Sequence, residues 1–231
     1  MSPVTASSQD TLVHSYLLLR RAIGLIGIGL PVVLIIGKLV IDGGGLLSSV
    51  SDYYYSDMRD VLVGSMCAIG VFLLSYRGYG PIDDLAGDLA AVTAIGVALF
   101  PTTPDDHPTR TDQIVGGLHI VFAATFFLTL AFFCLVLFRK TDQTPPTRRK
   151  THRNRVYLAS GVIILACLAL IVLSGRLIHA DTGSLHPVLW LESTATLAYG
   201  VAWMTKGETI LRDLSPAPEH PPLPATAHVQ T

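Results

Sequence analysis

Charged side chains are scarce in this sequence. Asp, Glu, Lys and Arg make up 14% of the 231 residues, and hydrophobic residues make up 50%. An ordinary soluble domain has about 25% charged residues. The charge is missing mainly from a set of long apolar segments. This composition excludes an ordinary soluble domain and predicts that most of the chain lies in a lipid bilayer.

Recognisable motifs for chemistry are also lacking. The three cysteines, Cys67, Cys134 and Cys167, fall in apolar segments without a CxxC spacing, so neither a disulfide framework nor a thiolate metal site is predicted. No HExxH zinc motif and no GxSxG nucleophile motif occurs. The sequence therefore predicts no metal and no cofactor, and we interpret the cysteines as packing residues.

Six apolar segments are present, each roughly long enough to cross a hydrocarbon core at about 1.5 Å per residue. Because lipid offers no hydrogen-bond partner to a bare amide, the segments should be α-helices. The short links between them favour one bundle over several domains. The predicted fold is an all-α, polytopic membrane bundle of six transmembrane helices, at residues 22–41, 61–76, 85–100, 114–138, 156–174 and 185–205.

Basic residues indicate the orientation of the bundle. If the amino terminus is cytoplasmic, twelve basic residues lie inside, and only Arg59, Arg110 and Arg176 lie in the outer loops. The positive-inside rule then places both termini in the cytoplasm. The inside set is Arg20, Arg21, Arg77, Arg139, Lys140, Arg148, Arg149, Lys150, Arg153, Arg155, Lys206 and Arg212.

The two ends of the chain differ from the apolar bundle. Residues 1–13 precede the first apolar segment, and residues 213–231 are rich in proline and alanine and lack a helical pattern. We expect residues 1–13 to be disordered and residues 213–231 to form a disordered, proline-rich cytoplasmic tail. The six-helix transmembrane domain is expected over residues 14–212.

The basic stretch at residues 139–155 has two interpretations. A cluster of Lys and Arg can bind nucleic acid or anionic lipid. The positive-inside rule alone explains it, however, and no aromatic residues are interleaved for base stacking. The expected partners are therefore membrane lipids and a small-molecule or lipid ligand, with no nucleic acid.

Polar side chains within the apolar segments are the best site candidates, because burying them in lipid is costly. His119 and Glu192 lie at matching depth below the outer ends of two segments that run in the same direction. Asp60, Arg59 and Tyr54 lie near the outer end of the second segment. We expect these five residues to border an outward-facing polar vestibule and to include the ligand-binding residues.

A pair formed by Glu192 and His119 has three interpretations. It can join two helices by a hydrogen bond without chemistry, or it can bind a ligand or exchange a proton. Metal ligation is the third, and zinc is disfavoured because no close histidine pair occurs. If the site is catalytic, the candidate residues are His119, Glu192 and Asp60.

Four sequence blocks occur in order between residues 48 and 208, namely SDYYYSDMRDVLVG, SYRGYG, GVALFPTTP and LES…AYGVAWMTKGE. In these blocks the chain resembles a family of uncharacterised bacterial multi-pass integral membrane proteins, labelled as a domain of unknown function. The resemblance implies a bacterial protein of the inner or plasma membrane. It implies no activity and no catalytic residues.

Two classes of function remain open. The first is a membrane protein that binds, senses or transports a small molecule or lipid through the outer vestibule. The second is an intramembrane enzyme that acts on a lipid-like substrate by acid–base chemistry of Glu192 and His119. The first is favoured because acid–base residues without a nucleophile, a metal motif or a cofactor motif do not define a reaction.

The predicted topology is testable with an impermeant thiol reagent. Single cysteines at Tyr54, Asp106 and Asp181, in a chain that lacks the natural cysteines, should be labelled in intact cells. A cysteine at Arg149 should be labelled only after permeabilisation, because the basic excess keeps that loop inside. Labelling of position 149 in intact cells would contradict the orientation.

Overall fold

The computed structural model describes residues 4–78, 80–140, 148–177 and 185–207. These residues form α-helices and no β-strand. The helices are α1 (Val4–Gly37), α2 (Arg59–Leu74), α3 (Pro81–Leu99), α4 (Arg110–Phe132), α5 (Arg148–Leu177) and α6 (Pro187–Lys206). Short π-helical turns continue α1 over Lys38–Asp42 and α4 over Phe133–Leu137, and a 3₁₀ helix spans Ser51–Tyr55.

The all-helical prediction is confirmed, and each apolar segment coincides with one α-helix. Two helices begin earlier than the apolar pattern indicated. α1 begins at Val4, within the segment expected to be disordered, and no proline or glycine interrupts the chain from there to Gly24. α5 begins at Arg148, so the basic residues 148–155 form its first turns. Residues 213–231 and Asp181 lie outside the described residues.

Three stretches of the described chain are long and apolar enough to cross a membrane, namely Ser15–Asp42, Arg110–Leu137 and Arg148–Ser174. The other helices are shorter or more polar. α2 has 16 residues, which corresponds to about 24 Å, and α3 carries Asp83 and Asp84 in its first turn. The protein therefore has the length and composition of a helical membrane protein.

The helices pack as a closed ring of neighbours. α1 packs against α2 and α6, α3 lies between α2 and α4, and α5 lies between α4 and α6. α4 also contacts α6 across the ring. The ring is therefore narrow, and side chains from α4 and α6 reach a common interior.

Side-chain size in α3 shows which surfaces are buried. Ala90, Ala91 and Ala94 are buried, whereas Leu85 is 69% exposed and Val92 is 57% exposed. Large apolar side chains are exposed on the other α-helices as well. In a water-soluble bundle, by contrast, the large apolar side chains are mostly buried and polar side chains cover the surface. Small residues let the helices approach one another, and the large residues form the surface that lipid would cover.

Helices α1 and α6 approach closely at Gly24 and Gly200. A Cβ atom at Gly24 would lie 2.8 Å from the backbone nitrogen of Met204 and 2.9 Å from the carbonyl oxygen of Gly200. A Cβ atom at Gly200 would lie 2.8 Å from the carbonyl oxygen of Gly24. The two backbones are therefore in direct contact, and neither position has room for a side chain.

Replacement of Gly24 by Ala should destabilise the bundle, because the added methyl group would overlap backbone atoms of α6. We expect the free energy of unfolding in detergent to fall by about 1–3 kcal/mol, the usual cost of overpacking. Gly29→Ala on the same helix is the matched control, since nothing lies within 4 Å of a Cβ atom there. Equal losses of stability in the two variants would contradict the close contact.

Candidate functional site

The segment before the 3₁₀ helix is fastened to the first turns of α6. The Leu189 amide donates a hydrogen bond to the Ser48 carbonyl oxygen at 2.9 Å, so one of the unpaired amides at the start of this helix finds an acceptor. One turn further, the Val50 amide donates to Glu192 Oε2 at 2.8 Å. The Glu192 carboxyl group is therefore hydrogen-bonded to the backbone of the segment at residues 48–55.

Glu192 also borders an internal cavity between α1, α2, α4 and α6. The cavity has a volume of about 40 Å³, which is room for a few water molecules at most. Its wall is mostly apolar, and the polar residues that line it are Ser51, Glu192, Thr196 and Tyr199. The hydroxyl oxygen of Tyr199 is buried and has no hydrogen-bond partner among the described residues. A carboxyl group and a phenol thus belong to the wall of an otherwise apolar space.

His119 is buried on α4, with 5% of its surface exposed. Its Nδ1 atom lies 2.6 Å from the carbonyl oxygen of Phe100, the residue that ends α3. Because a carbonyl oxygen can only accept, Nδ1 carries a proton, and in the neutral form of the ring Nε2 is the acceptor. Gly116 permits this packing, since a Cβ atom there would lie 2.7 Å from the backbone nitrogen of Thr103.

Asp52, in the 3₁₀ helix, links the surroundings of His119 and Glu192. Its Oδ1 accepts a hydrogen bond from the Thr102 hydroxyl at 3.0 Å, and its amide donates to Ser49 Oγ at 3.1 Å. Thr102 lies two residues after Phe100, which bonds to His119, and Asp52 lies two residues after Val50, which bonds to Glu192. The sequence placed Asp52 only among the ionisable groups of the outer loops, and the structure adds it to the five candidates through its hydrogen bond with Thr102.

No direct hydrogen bond joins His119 to Glu192 in the part of the chain that the structure describes. Each bonds instead to a backbone group of a loop, His119 to Phe100 and Glu192 to Val50. The hydrogen bond from Thr102 to Asp52 joins these two loops, so both side chains lie toward the same end of the bundle. A shared site through a bridging water stays a prediction.

The other candidates lie at the surface. Arg59 Nη2 donates a hydrogen bond to the Tyr54 hydroxyl at 2.6 Å, and the guanidinium carbon lies 4.3 Å from the centroid of that ring. Asp60 is exposed in the first turn of α2 and has no ion pair with a described residue. The five candidates thus divide into the buried His119 with the half-buried Glu192, and an outer group of the half-buried Tyr54 with the exposed Arg59 and Asp60.

Another charged group lies at this end, where α1 is connected to α2. Lys38 Nζ lies 2.5 Å from Asp42 Oδ2. The hydrogen bond from Asp57 to the Asp42 carboxyl, together with the negative charge of Asp42, raises the pKa of Asp57. Lys38 is therefore engaged with Asp42 rather than with Glu192.

The described residues contain no group of three or more His, Cys, Asp or Glu side chains placed to hold a metal ion. Comparisons of the chain with protein-family models, curated proteins and solved structures found no match. The resemblance to bacterial integral membrane proteins therefore depends on the four sequence blocks alone and stays a hypothesis.

Two substitutions at Glu192 separate the hydrogen bond from the charge. Glu192→Gln keeps an oxygen that can accept from the Val50 amide, so its stability should stay close to that of the natural protein. Glu192→Ala leaves the amide without an acceptor, and the free energy of unfolding should fall by about 1–3 kcal/mol. Denaturant unfolding in detergent measures both. An equal loss in the two variants would show that the hydrogen bond is not what holds residues 48–55.

Proposed function

We propose that the protein is a bacterial multi-pass membrane protein that binds, senses or transports a small molecule or lipid at the end where α6 begins. The ligand class that suits the site carries a hydrogen-bond donor, an ammonium or hydroxyl group, beside an apolar portion. In this proposal Glu192 and Asp52 receive the donor, His119 completes the polar wall, and Tyr54, Arg59 and Asp60 border the entrance.

The observation that carries this proposal is that the Glu192 carboxyl group has no cationic partner among the described residues. Glu192 borders an apolar cavity, and its hydrogen-bond partner is an amide rather than a positive charge. Asp52 adds a second carboxyl group, while Lys38 is engaged with Asp42 and Arg59 with Tyr54. A carboxyl group is costly to bury unless a donor or a cation accompanies it. A ligand that supplies the donor would lower this cost.

The size of the cavity limits how such a ligand is held. About 40 Å³ admits the polar group of a ligand or a few atoms of an alkyl chain, and no more unless the helices move apart. The rest of the ligand would extend past residues 48–55 toward the membrane surface. A small amine or an amino-bearing lipid headgroup meets this requirement.

The proposal includes six membrane-spanning helices and cytoplasmic termini. Exposed large apolar side chains on every α-helix support the helix count. The concentration of Arg20, Lys150 and Lys206 at the end opposite Glu192 supports the orientation. Glu192 then lies at the outer end, as the vestibule requires.

A recess on the outside of the bundle supports contact with the acyl chains of lipids. A recess of about 380 Å³ lies between α3 and α4, bordered by Leu85, Leu89 and Leu128 among other residues, and none of its lining residues is ionisable. An acyl chain suits a recess of this composition. Membrane lipids are therefore the partners we propose for this surface.

An intramembrane enzyme acting on a lipid-like substrate is the alternative. The observation that favours it is the tautomer of His119: with Nδ1 donating to Phe100, Nε2 is the atom able to take a proton. Glu192 would then supply the second proton-transfer group. The hydroxyl groups that border the cavity belong to Ser51, Thr196 and Tyr199, and among the described residues none of them is hydrogen-bonded to His119, so the binding function is the better supported of the two.

The binding function is tested with a matched pair of alkyl probes. Hexylammonium should raise the unfolding midpoint of the detergent-solubilised protein, and hexanoate should not, because Glu192 and Asp52 repel a carboxylate. Glu192→Gln should weaken hexylammonium binding about tenfold or more, equivalent to about 1.4 kcal/mol. Asp105→Asn, which alters an exposed loop carboxylate, is the control and should bind as the natural protein does.

Equal responses to hexylammonium and hexanoate would refute a carboxyl-directed site. The enzyme alternative makes a different prediction. A lipid extract incubated with the natural protein would gain a product detectable by mass spectrometry, and the same extract with Glu192→Gln would not. Product formation without any preference for the ammonium probe would reverse the ranking.

A further inference from the structure

The inner face of α5 is identified by a small residue that packs closely against the end of α4. Gly161 is buried, and a Cβ atom there would lie 2.5 Å from Leu135 Cγ and 3.2 Å from Cys134 Cβ, in the π-helical turn that continues α4. Tyr157 and Ile164, which share this side of α5 with Gly161, are buried as well. The opposite face of α5 is therefore turned away from the rest of the bundle.

Exposed side chains recur along this outward face at spacings of three and four residues, so they lie in one row. They are Arg148, His152, Arg155, Ala159, Val162, Ala166, Leu170 and Leu173. The row changes character once, between Arg155 and Ala159. Its basic part spans about 10 Å along the helix axis and its apolar part about 21 Å.

The apolar part of the row suits contact with lipid chains. Val162 is 53% exposed, and Leu170 and Leu173 are each 49% exposed. They belong to one of the three stretches that are long and apolar enough to cross a membrane, and this stretch is the least buried of the three. The hydrocarbon of one leaflet is about 15 Å thick. The apolar part is therefore long enough to cross a leaflet and leaves Arg155 and Arg148 at the level of the headgroups.

The two arginines of the row differ from a basic residue on the inner side of the same helix. Lys150 Nζ donates a hydrogen bond to the carbonyl oxygen of Phe138 at 3.0 Å. Arg148 and Arg155 are exposed, no ion pair joins either of them to a described carboxylate, and α5 itself contains no Asp or Glu. Orientation of the chain depends on how many basic residues a loop carries. It does not require two arginines in line with an apolar row.

The carboxylates that α3 contributes at this end of the bundle have other partners. Asp83 pairs with Lys140 at 2.6 Å, and Asp88 pairs with Arg77 at 3.1 Å. Asp84 accepts a hydrogen bond from a loop amide at 2.9 Å. The anion that complements the arginines of α5 would therefore come from a binding partner.

We propose that the outward face of α5 binds an anionic phospholipid of the surrounding leaflet. The acyl chains would lie along the apolar row, and the phosphate group would lie at Arg148 and Arg155. An arginine suits a phosphate group because its donors form a fixed fork, and His152, between the two arginines, offers a further donor. The change from charged to apolar side chains along one helix face favours a lipid over a soluble anion or a nucleic acid.

This proposal rests on the membrane location included in the proposed function, but not on the cavity beside Glu192. That cavity lies at the other end of the bundle, where α6 begins. Binding of an anionic phospholipid and binding of hexylammonium can therefore fail separately.

The test uses the full chain in a maltoside detergent, which carries no charge and no phosphate. Phosphatidylglycerol is compared with phosphatidylcholine of the same acyl chains, because both lipids carry a phosphate but only phosphatidylglycerol has a net negative charge. Native mass spectrometry counts the lipids retained, and the unfolding midpoint follows their binding. The natural protein should bind phosphatidylglycerol about tenfold or more tightly than phosphatidylcholine.

Arg148→Gln combined with Arg155→Gln should remove most of this preference, at about fivefold per arginine, equivalent to about 1 kcal/mol. The unfolding midpoint in lipid-free detergent should not change, because both side chains are exposed. Arg148→Lys combined with Arg155→Lys keeps both charges and should keep most of the preference. Arg110→Gln is the matched control, since Arg110 is exposed and begins α4 two residues before Asp112, and it should bind as the natural protein does.

Equal binding of the two lipids by the natural protein would overturn the proposal. An unchanged preference in the double glutamine variant, or an equal loss in Arg110→Gln, would also overturn it. A duplex oligonucleotide that displaces phosphatidylglycerol would do the same, because the surface would then be one for nucleic acid. Hexylammonium binding should be equal in the natural protein and the double glutamine variant, which separates this surface from the site at Glu192.

Discussion

Gly24 and Gly200 bring the backbones of α1 and α6 into contact, and the positions of both polar ends of α6 depend on that contact. With no side chain between them, the two helices are placed by backbone atoms rather than by adaptable rotamers. Glu192 lies near the start of α6, and Trp203 and Lys206 lie near its finish. One close helix contact therefore positions a carboxyl group at one end of the bundle and a cation at the other.

The two ends of the bundle have opposite electrostatic character. Where α6 begins, Glu192 lies beside an apolar cavity, Asp52 belongs to the adjoining 3₁₀ helix, and Lys38 is engaged with Asp42. Where α6 finishes, Arg20 and Lys206 lie over packed aromatic rings. The described helices between these ends bury alanine, glycine and aromatic side chains and expose leucine and valine. Such a molecule suits an environment that is apolar around its middle and wet at both ends.

Backbone groups of loops are the partners of the polar side chains inside the bundle. His119 is held by the Phe100 carbonyl oxygen and Glu192 by the Val50 amide. Neither partner belongs to a regular helix. Irregular backbone near a membrane interior needs acceptors and donors from side chains, and these two residues supply them. A structural role and a ligand-binding role are compatible, because Glu192 makes one hydrogen bond to the loop and still borders the cavity.

The sequence by itself determined the helical class, the positions of the apolar segments and the burial of His119, because hydropathy and the cost of bare amides in lipid are local properties of the chain. It also located the basic residues, but only as a signal of orientation. The tertiary structure decided which groups meet: Asp52 at the Thr102 hydroxyl, and Arg20, Lys150 and Lys206 over one set of rings. Such meetings depend on how helices distant in sequence rotate and pack, and no periodicity within one segment encodes that rotation.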